Sequence, residues 1–161
     1  MKYIIVEHGI DFEAYSAYLA TIRDRLPPHV AAFATDERYF ALDTLETLHD
    51  AWLVELVVRE QAEGMRQEHR VTEVDVRLVG ALHDREHVLR YTSVRRYELV
   101  GSEVTRGHGD LYTHEVRLAS DGVGLIHELL FRAPPSGADS RLLIECADFT
   151  HELLPRGQIA G

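Results

Sequence analysis

The residues with the clearest chemical potential are two histidines on either side of an Asp121-Gly122 dipeptide. Asp-Gly between two alternating runs is typical of a hairpin with a type I′ turn, because both central residues of that turn need φ > 0. A two-residue loop makes one face of the hairpin apolar, and burial of that face selects this register. His114 and His127 are then diagonal neighbours on the apolar face, roughly 7–8 Å apart at the backbone.

Two imidazoles in this position suit two kinds of chemistry. They could share a divalent metal ion, with His114 and His127 as ligands, or act as an acid–base pair. A metal site also needs further ligands and supporting hydrogen bonds, which the sequence does not identify. We therefore favour two partly buried histidines that each have a hydrogen-bond partner, and the sequence implies no cofactor.

Two further candidates follow the glycine-bearing segment Val100–Gly109, which is expected to be a loop. His108 and Asp110 join the candidate site because loops tend to carry binding groups. His83 and His87 have the spacing of zinc ligands, but that spacing works only on a helix. Their segment has the composition of a turn between strands, so we do not assign them a zinc site.

The same register places Glu115 directly opposite Glu128 on the other face of the hairpin. Opposed carboxylates that are sheltered from water would raise one pKa and suit catalysis. With Arg117 and Arg132 beside them on a solvent face, they would instead form a screened charge cluster. The sequence favours the charge cluster.

The elements that precede the hairpin are predicted to be mainly helical. Lys2–Glu7 has the composition of a short strand. An apolar stripe at three- and four-residue steps then predicts a helix that ends at Pro27-Pro28, and its members are Phe12, Tyr15, Leu19, Ile22 and Leu26. We expect a short helix within His29–Phe40, and Asp43 and Glu46 have capping-box spacing that predicts a helical turn over Thr44–His49.

The rest of the chain is predicted to be antiparallel strands. Ala51–Arg59 fits a helix or a strand, and its valine content favours the strand. His87–Leu99 is predicted to be another strand or a bent pair, because His87, Leu89 and Tyr91 alternate with their neighbours. Arg141–Cys146 should be the last strand, followed by a turn or helix over Asp148–Leu154.

These elements predict an α+β protein with a single domain over residues 1–161. Residues 1–50 form a mainly helical part that begins with a strand and a helix. Residues 51–150 form an antiparallel β-meander of five to six strands, either a curled sheet or a sandwich-like one.

Composition narrows the function classes. The chain of 161 residues is 45% hydrophobic and carries 27 acidic against 17 basic side chains, for a net charge of −10. This charge makes nucleic-acid binding unexpected and attraction to a basic partner plausible. No stretch reaches the roughly 18 apolar residues of a membrane span. The single Cys146 and the lack of an apolar leader predict a cytoplasmic location.

Four short segments resemble a group of uncharacterised bacterial proteins, some of which have the outline of toxin-immunity proteins. In that group a His-Asp dipeptide opens a β-meander and an Asp-Phe pair closes it. The matching segments are Leu48–Leu53, the strand-rich middle, His108–Leu111 and Leu142–Phe149. The resemblance covers residues 45–150 and implies a binding role without assigned catalytic residues.

The sequence thus leaves three functional hypotheses. We favour a small acidic binding protein, immunity-like in outline, that engages a basic protein partner, and we favour a non-enzyme over an enzyme. The alternative is a metal- or histidine-dependent enzyme with a site drawn from His114, His127, His108 and Asp110. The third is a homo-oligomer, because a meander has edges that a second copy can cover.

Overall fold

The computed structural model describes residues 1–7, 9–101, 107–133 and 138–156, and within them two helices precede an eight-stranded antiparallel sheet. The helices are α1, Glu13–Ile22, and α2, Pro28–Thr35, with short 3-10 turns at Arg23–Arg25 and Glu37–Tyr39. The strands are β1 Trp52–Glu63, β2 His69–Val79, β3 Arg85–Thr92, β4 Arg96–Gly101, β5 Asp110–Leu118, β6 Leu125–Ala133, β7 Ala138–Cys146 and β8 Asp148–Pro155. Residues 102–106 of the expected loop lie outside the described residues.

The α+β class and the antiparallel sheet are confirmed, and all of Ala51–Arg59 except Ala51 lies in β1, a strand as predicted. The strand number was underestimated, because eight strands replace the expected five to six. Asp148–Leu154 is not a turn or helix but most of β8. Its side chains alternate between a buried Phe149 and exposed neighbours, and the whole strand pairs with β3.

The sheet is strongly curled. Its strand order is β4-β7-β6-β5-β1-β2-β3-β8, so three strands separate β3 from β6. In a flat sheet that separation would be about 19 Å at the usual strand spacing. The hydroxyl of Tyr91 on β3 nevertheless lies 2.7 Å from the Nδ1 atom of His127 on β6. The two halves of the sheet therefore face each other across one core.

The curl is completed by a bent two-stranded ribbon. The chain passes from β3 to β4 with only residues 93–95 between them, and from β7 to β8 with only Ala147 between them. β4 pairs with β7 in one half, while β3 pairs with β8 in the other. The two outer strands, β4 and β8, thus belong to the same continuous ribbon.

Near the centre of the sheet, two neighbouring strands are paired over a very short length. β1 pairs with β5 only at Trp52 and Asp110, and the two strands diverge beyond that point. The edge of β5 that faces away from β6 is instead covered by α1. The backbone N–H groups of Val116 and Leu118 donate to the hydroxyls of Tyr15 and Tyr18, at 2.8 and 3.0 Å.

The helical layer forms largely as predicted. The buried stripe of α1 continues into Leu26, and α2 buries Val30 and Phe33 against the sheet. Of the helical turn expected over Thr44–His49, a single turn forms, in which the N–H of Thr47 donates to the carbonyl of Thr44 at 3.4 Å. It does not continue as a helix, since the N–H of Leu48 donates to the carbonyl of Tyr39. Among the described residues, no helix combines the length and apolar character needed to cross a membrane.

The amino-terminal strand predicted at Lys2–Glu7 is also wrong, since only Ile5 forms a bridge, with Asp11. The reason is a competing acceptor. The carboxylate of Glu115 accepts hydrogen bonds from the backbone N–H groups of Lys2, Tyr3 and Ile4 at 2.6 to 3.2 Å. Those donors are therefore unavailable to a strand ladder.

Glu115 and Glu128 do face each other across β5 and β6, but they are not a solvent-screened cluster. The two residues are 0% and 2% exposed. One nitrogen of Arg117 contacts both carboxylates, at 3.1 and 2.7 Å, and the Met1 amino group lies 2.7 Å from Glu128. Burial opposes the charge on Glu128, yet the amino group and Arg117 lower the pKa of its carboxyl. The pair anchors the amino-terminal segment.

The hairpin register is confirmed from residue 113 onward, but the turn is not type I′. Only Gly122 has positive φ, and the Asp121 carboxylate accepts from the backbone N–H groups of Val123 and Gly124. At the other end of β5 a bulge shifts the register by one residue, so Leu111 rather than Tyr112 faces Phe131.

Candidate functional site

A chain of three buried side chains crosses the core between the two halves of the sheet. Tyr91 contacts Nδ1 of His127 at 2.7 Å, and Nε2 of His127 contacts Nδ1 of His114 at 3.2 Å. All three residues are at most 1% exposed. The two histidines predicted to be neighbours on the apolar face are therefore hydrogen-bonded to each other.

The direction of this chain follows from the Tyr91 hydroxyl. Burial raises the pKa of Tyr91 well above its ordinary value, so the hydroxyl stays protonated. His127 is its only hydrogen-bond partner within the described residues, and we assign the hydroxyl as the donor to Nδ1 because its proton would otherwise have no acceptor. With this assignment Nε2 of His127 carries a proton and donates to Nδ1 of His114, and the remaining proton is assigned to Nε2 of His114.

That terminal N–H has no acceptor. Four buried side-chain atoms among the described residues lack a partner, namely His87 Nε2, His108 Nδ1, Thr113 Oγ1 and His114 Nε2. An unpaired buried donor costs about 1–3 kcal/mol, so each such group calls for an explanation. For His114, the explanation we pursue is a ligand.

A second histidine pair lies beside the first. Nδ1 of His87 contacts Nε2 of His151 at 3.0 Å. Phe33 of α2 inserts between the pairs, with its ring centroid 5.3 Å from that of His114 and 5.0 Å from that of His151. One aromatic side chain from the helical layer thus packs against both halves of the curled sheet.

All four imidazoles are neutral at pH 7. Burial, with a smaller contribution from the neighbouring His151, lowers the pKa of His127 and of His87 to about 3. Burial lowers the pKa of His151 to about 4. Burial and the neighbouring His127 lower the pKa of His114 well below its ordinary value.

A groove opens in the helical layer above this cluster. It lies between α1, α2 and the segment after the second 3-10 turn, and its volume is about 540 Å³. Small-molecule sites usually measure about 300–1,000 Å³. The walls are mainly apolar, and they include Phe12, Leu19, Ala34 and Phe40.

The floor of the groove leads toward His114. Phe12 and Phe40 line the groove and also line a smaller cavity of about 10 Å³ on their other side. The smaller cavity has room for about one water molecule, and the ring of His114 lines it. Phe40 stacks on that ring with centroids 4.3 Å apart and planes 12° apart. Two aromatic side chains thus separate the groove from the imidazole with the unpaired donor.

The groove also carries two charges of opposite sign. Arg23 and Glu37 line it and are exposed. Neither side chain has an ion-pair partner within the part of the chain that the structure describes. They are available to polar groups of a ligand at the solvent side of the groove.

The remaining sequence candidates lie elsewhere. Asp110 is at the start of β5, opposite Trp52 and Arg132, and His108 lies near Phe131. No contact joins either residue to His114 or His127 within the described ranges. In the same residues no group of three or more His, Cys, Asp or Glu side chains is arranged to hold a metal ion.

Sequence reasoning placed Tyr91 and His87 on one face of a strand but did not connect them to the histidine pair. It missed His151, because Asp148–Leu154 was assigned to a turn or helix. The alternation of Phe149 and His151 with exposed neighbours was the available signal. The pairing of β3 with β8, which brings His87 and His151 together, has no local signature.

Comparison with protein-family models, with curated proteins and with solved structures finds no match. The resemblance to a toxin-immunity-like group therefore stays a prediction.

Proposed function

We propose that the protein binds a small, mainly apolar molecule in the groove, and that a neutral oxygen of this molecule accepts a hydrogen bond from Nε2 of His114. The observation that carries the proposal is the unpaired N–H donor at the end of the Tyr91–His127–His114 chain. It lies on a ring that lines the inner cavity, and Phe12 and Phe40 line both that cavity and the groove. Rotation of Phe40 would join the groove and the inner cavity.

The chemistry of the inner cavity favours a carbonyl, ether or hydroxyl oxygen over a charged group. A carboxylate would lose its hydration there and would meet a neutral imidazole rather than a cation. A neutral oxygen accepts from His114 with a much smaller desolvation cost. The apolar walls would bind the rest of the molecule, and Arg23 and Glu37 would contact its outer end.

The same geometry favours binding over catalysis by the histidines. A general acid or base works best when its pKa is near the working pH. The pKa of His127 is lowered to about 3. At neutral pH its imidazole is therefore a poor general base, and it is not in the protonated form that a general acid requires. The neutral tautomers instead hold the N–H of His114 as a donor in a fixed direction, which suits the recognition of a ligand.

Blocking the groove should abolish ligand binding. A neutral apolar dye, N-phenyl-1-naphthylamine, should bind one-to-one with increased fluorescence and a dissociation constant on the order of 10 μM. Ala20 lines the groove from α1 and is exposed. The Ala20→Trp variant should fill the groove and weaken dye binding by at least about tenfold, as measured by fluorescence titration.

The matched control is Ala17→Trp. Ala17 is exposed on the same helix but does not line the groove, so this variant should bind the dye like the wild type. Equal affinities for the two variants would place the dye outside the groove and contradict the proposal.

A basic protein partner is a second candidate, supported by the charge of the helical part. Residues 1–50 carry nine acidic against four basic side chains, which is half of the net charge of −10. Beside the groove, Leu42 is 73% exposed and Leu45 is 53% exposed, next to Asp43 and Glu46. A synthetic Lys/Leu amphipathic peptide that displaces the dye with a strongly salt-dependent affinity would favour this candidate.

A further inference from the structure

The outer edge of β1 is an unpaired strand edge. Beyond Trp52, the one strand paired with it in the described part of the chain is β2, on the other side. No hydrogen bond reaches the outer edge from Leu53 to Ala62 within the described residues. Val54 is 51% exposed and Val58 is 38% exposed. Long unpaired strand edges pair readily with another strand.

The neighbouring strand of this chain cannot cover that edge. The edge of β5 that would face β1 is already satisfied by the hydroxyls of Tyr15 and Tyr18. Tyr15 is anchored there twice, because it accepts from the N–H of Val116 and donates to its carbonyl oxygen. Among the residues that the structure describes, no strand of this chain is free to cover β1, so we look for the covering strand in a second chain.

We infer that the β1 edges of two copies pair antiparallel about a two-fold axis at Val57. Two-fold symmetry makes the same edge serve both partners. Residues directly opposite each other in antiparallel strands lie on the same face of the sheet. The core faces of the two copies therefore lie on the same side only if the two-fold axis lies at a residue of β1, which then faces the same residue of the second copy. Centring the axis on Glu55 or on Arg59 would place like charges opposite each other, which is destabilising.

The axis at Val57 instead pairs opposite charges on the outer face. Glu55 faces Arg59 of the second copy, and the symmetric contact repeats on the other side of the axis. Within one copy Glu55 already contacts Arg77 at 3.3 Å, and Arg59 is paired in register with Glu73. The row across the joined sheets therefore alternates in charge from Arg77 through to Glu73 of the second copy.

On the core face the same axis pairs apolar side chains. Leu56 faces Val58 of the second copy. Their neighbours on the β2 strands are Val76 and Val74, which are both fully buried. This row is apolar across all four strands, so a single register satisfies both faces of β1. The inference does not depend on the proposed ligand.

A cysteine at the axis tests the register. In Val57→Cys, the two introduced thiols would face each other at the Cα separation of paired antiparallel strands, about 4.5–5.5 Å, which a disulfide can span. Under mild oxidation we expect a covalent dimer on non-reducing gels. The native Cys146 should not interfere, because it is buried and burial raises the pKa of its thiol to about 12.

The control is Gln61→Cys on the same exposed edge, which the proposed register holds about 26 Å from its counterpart. The cross-linked fraction should be at least about tenfold lower for Gln61→Cys than for Val57→Cys, since that distance exceeds the reach of a disulfide. Equal cross-linking of the two variants would overturn the register.

Val57→Lys tests the association itself by light scattering. Within one copy Val57 is paired with Asp75, so the fold should tolerate the lysine, and circular dichroism checks this. Between copies two ammonium groups would meet at the axis and dissociate the dimer, whereas Gln61→Lys should stay dimeric. A wild-type chain that remains monomeric at high concentration would overturn the inference.

Discussion

The folded protein should lose most of its stability between pH 6.5 and pH 4, because four buried histidines must stay neutral for the core to pack. Burial is the main cause that lowers the folded-state pKa of His87 and His127 to about 3 and that of His151 to about 4. In the unfolded chain each titrates near 6.5. The stability is therefore complete above pH 6.5 and is lost as the pH falls, since only the unfolded state then binds protons.

The size of the effect is large. Each such histidine destabilises the fold by about 1.4 kcal/mol per pH unit below 6.5, or about 2 kcal/mol at pH 5. Four of them together approach the whole stability of a typical domain, about 5–15 kcal/mol. Urea unfolding curves at pH 7, 6 and 5 measure the slope directly.

Single substitutions test whether the buried histidines cause this pH dependence of the free energy of unfolding. His151→Gln should reduce the slope between pH 6 and pH 5 by about 1.2 kcal/mol per pH unit, the contribution of one histidine over that interval. His69→Gln, at an exposed position on β2, should leave it unchanged. A free energy of unfolding that stays constant from pH 7 to pH 5 would contradict the account of the core.

Glu115→Gln should be the most destabilising single substitution outside the apolar core, lowering the free energy of unfolding by about 3 kcal/mol. The wild-type carboxylate is fully buried and accepts from three backbone N–H groups and from Arg117. An amide has one acceptor oxygen, and its NH₂ group would face donors that are then left unpaired. Chemical denaturation at pH 7 measures the loss.

Hydrogen exchange gives this prediction a local readout. The backbone amides of Lys2, Tyr3 and Ile4 should exchange faster in Glu115→Gln, because they lose their acceptor. Glu152→Gln is the control, since the exposed Glu152 has one ion-pair partner among the described residues, the exposed Arg90, and it should change stability by less than about 0.5 kcal/mol. A Glu115→Gln protein as stable as the wild type would show that the buried carboxylate does not anchor the amino terminus.

The sequence predicted those features of the site that depend on the alternation of apolar and polar residues along neighbouring strands. Alternation around Asp121-Gly122 placed His114 and His127 as diagonal neighbours on one face, and that register holds from Thr113 to Leu125. The turn was assigned to the wrong type because the Asp121 carboxylate supplies acceptors that backbone preferences alone do not reveal. The register survived that error because burial of one face determines it.

The rest depended on contacts between distant segments. The predicted amino-terminal strand fails because Glu115, more than a hundred positions away, binds its backbone. The groove needs the curl of the sheet and the packing of Phe33, which bring His114 beside Phe40. Local periodicity contains no information on either arrangement.

The most direct test of the account is a side-chain ¹⁵N NMR titration of the histidines with two matched compounds, 2-acetylnaphthalene and 2-ethylnaphthalene. Both should bind the groove, but only the ketone offers an oxygen acceptor. We predict that the ketone shifts the protonated Nε2 resonance of His114, identified by its loss in His114→Gln, and that the hydrocarbon does not. A His114 resonance that stays unchanged at saturating ketone, or that responds equally to both compounds, would contradict the proposed recognition.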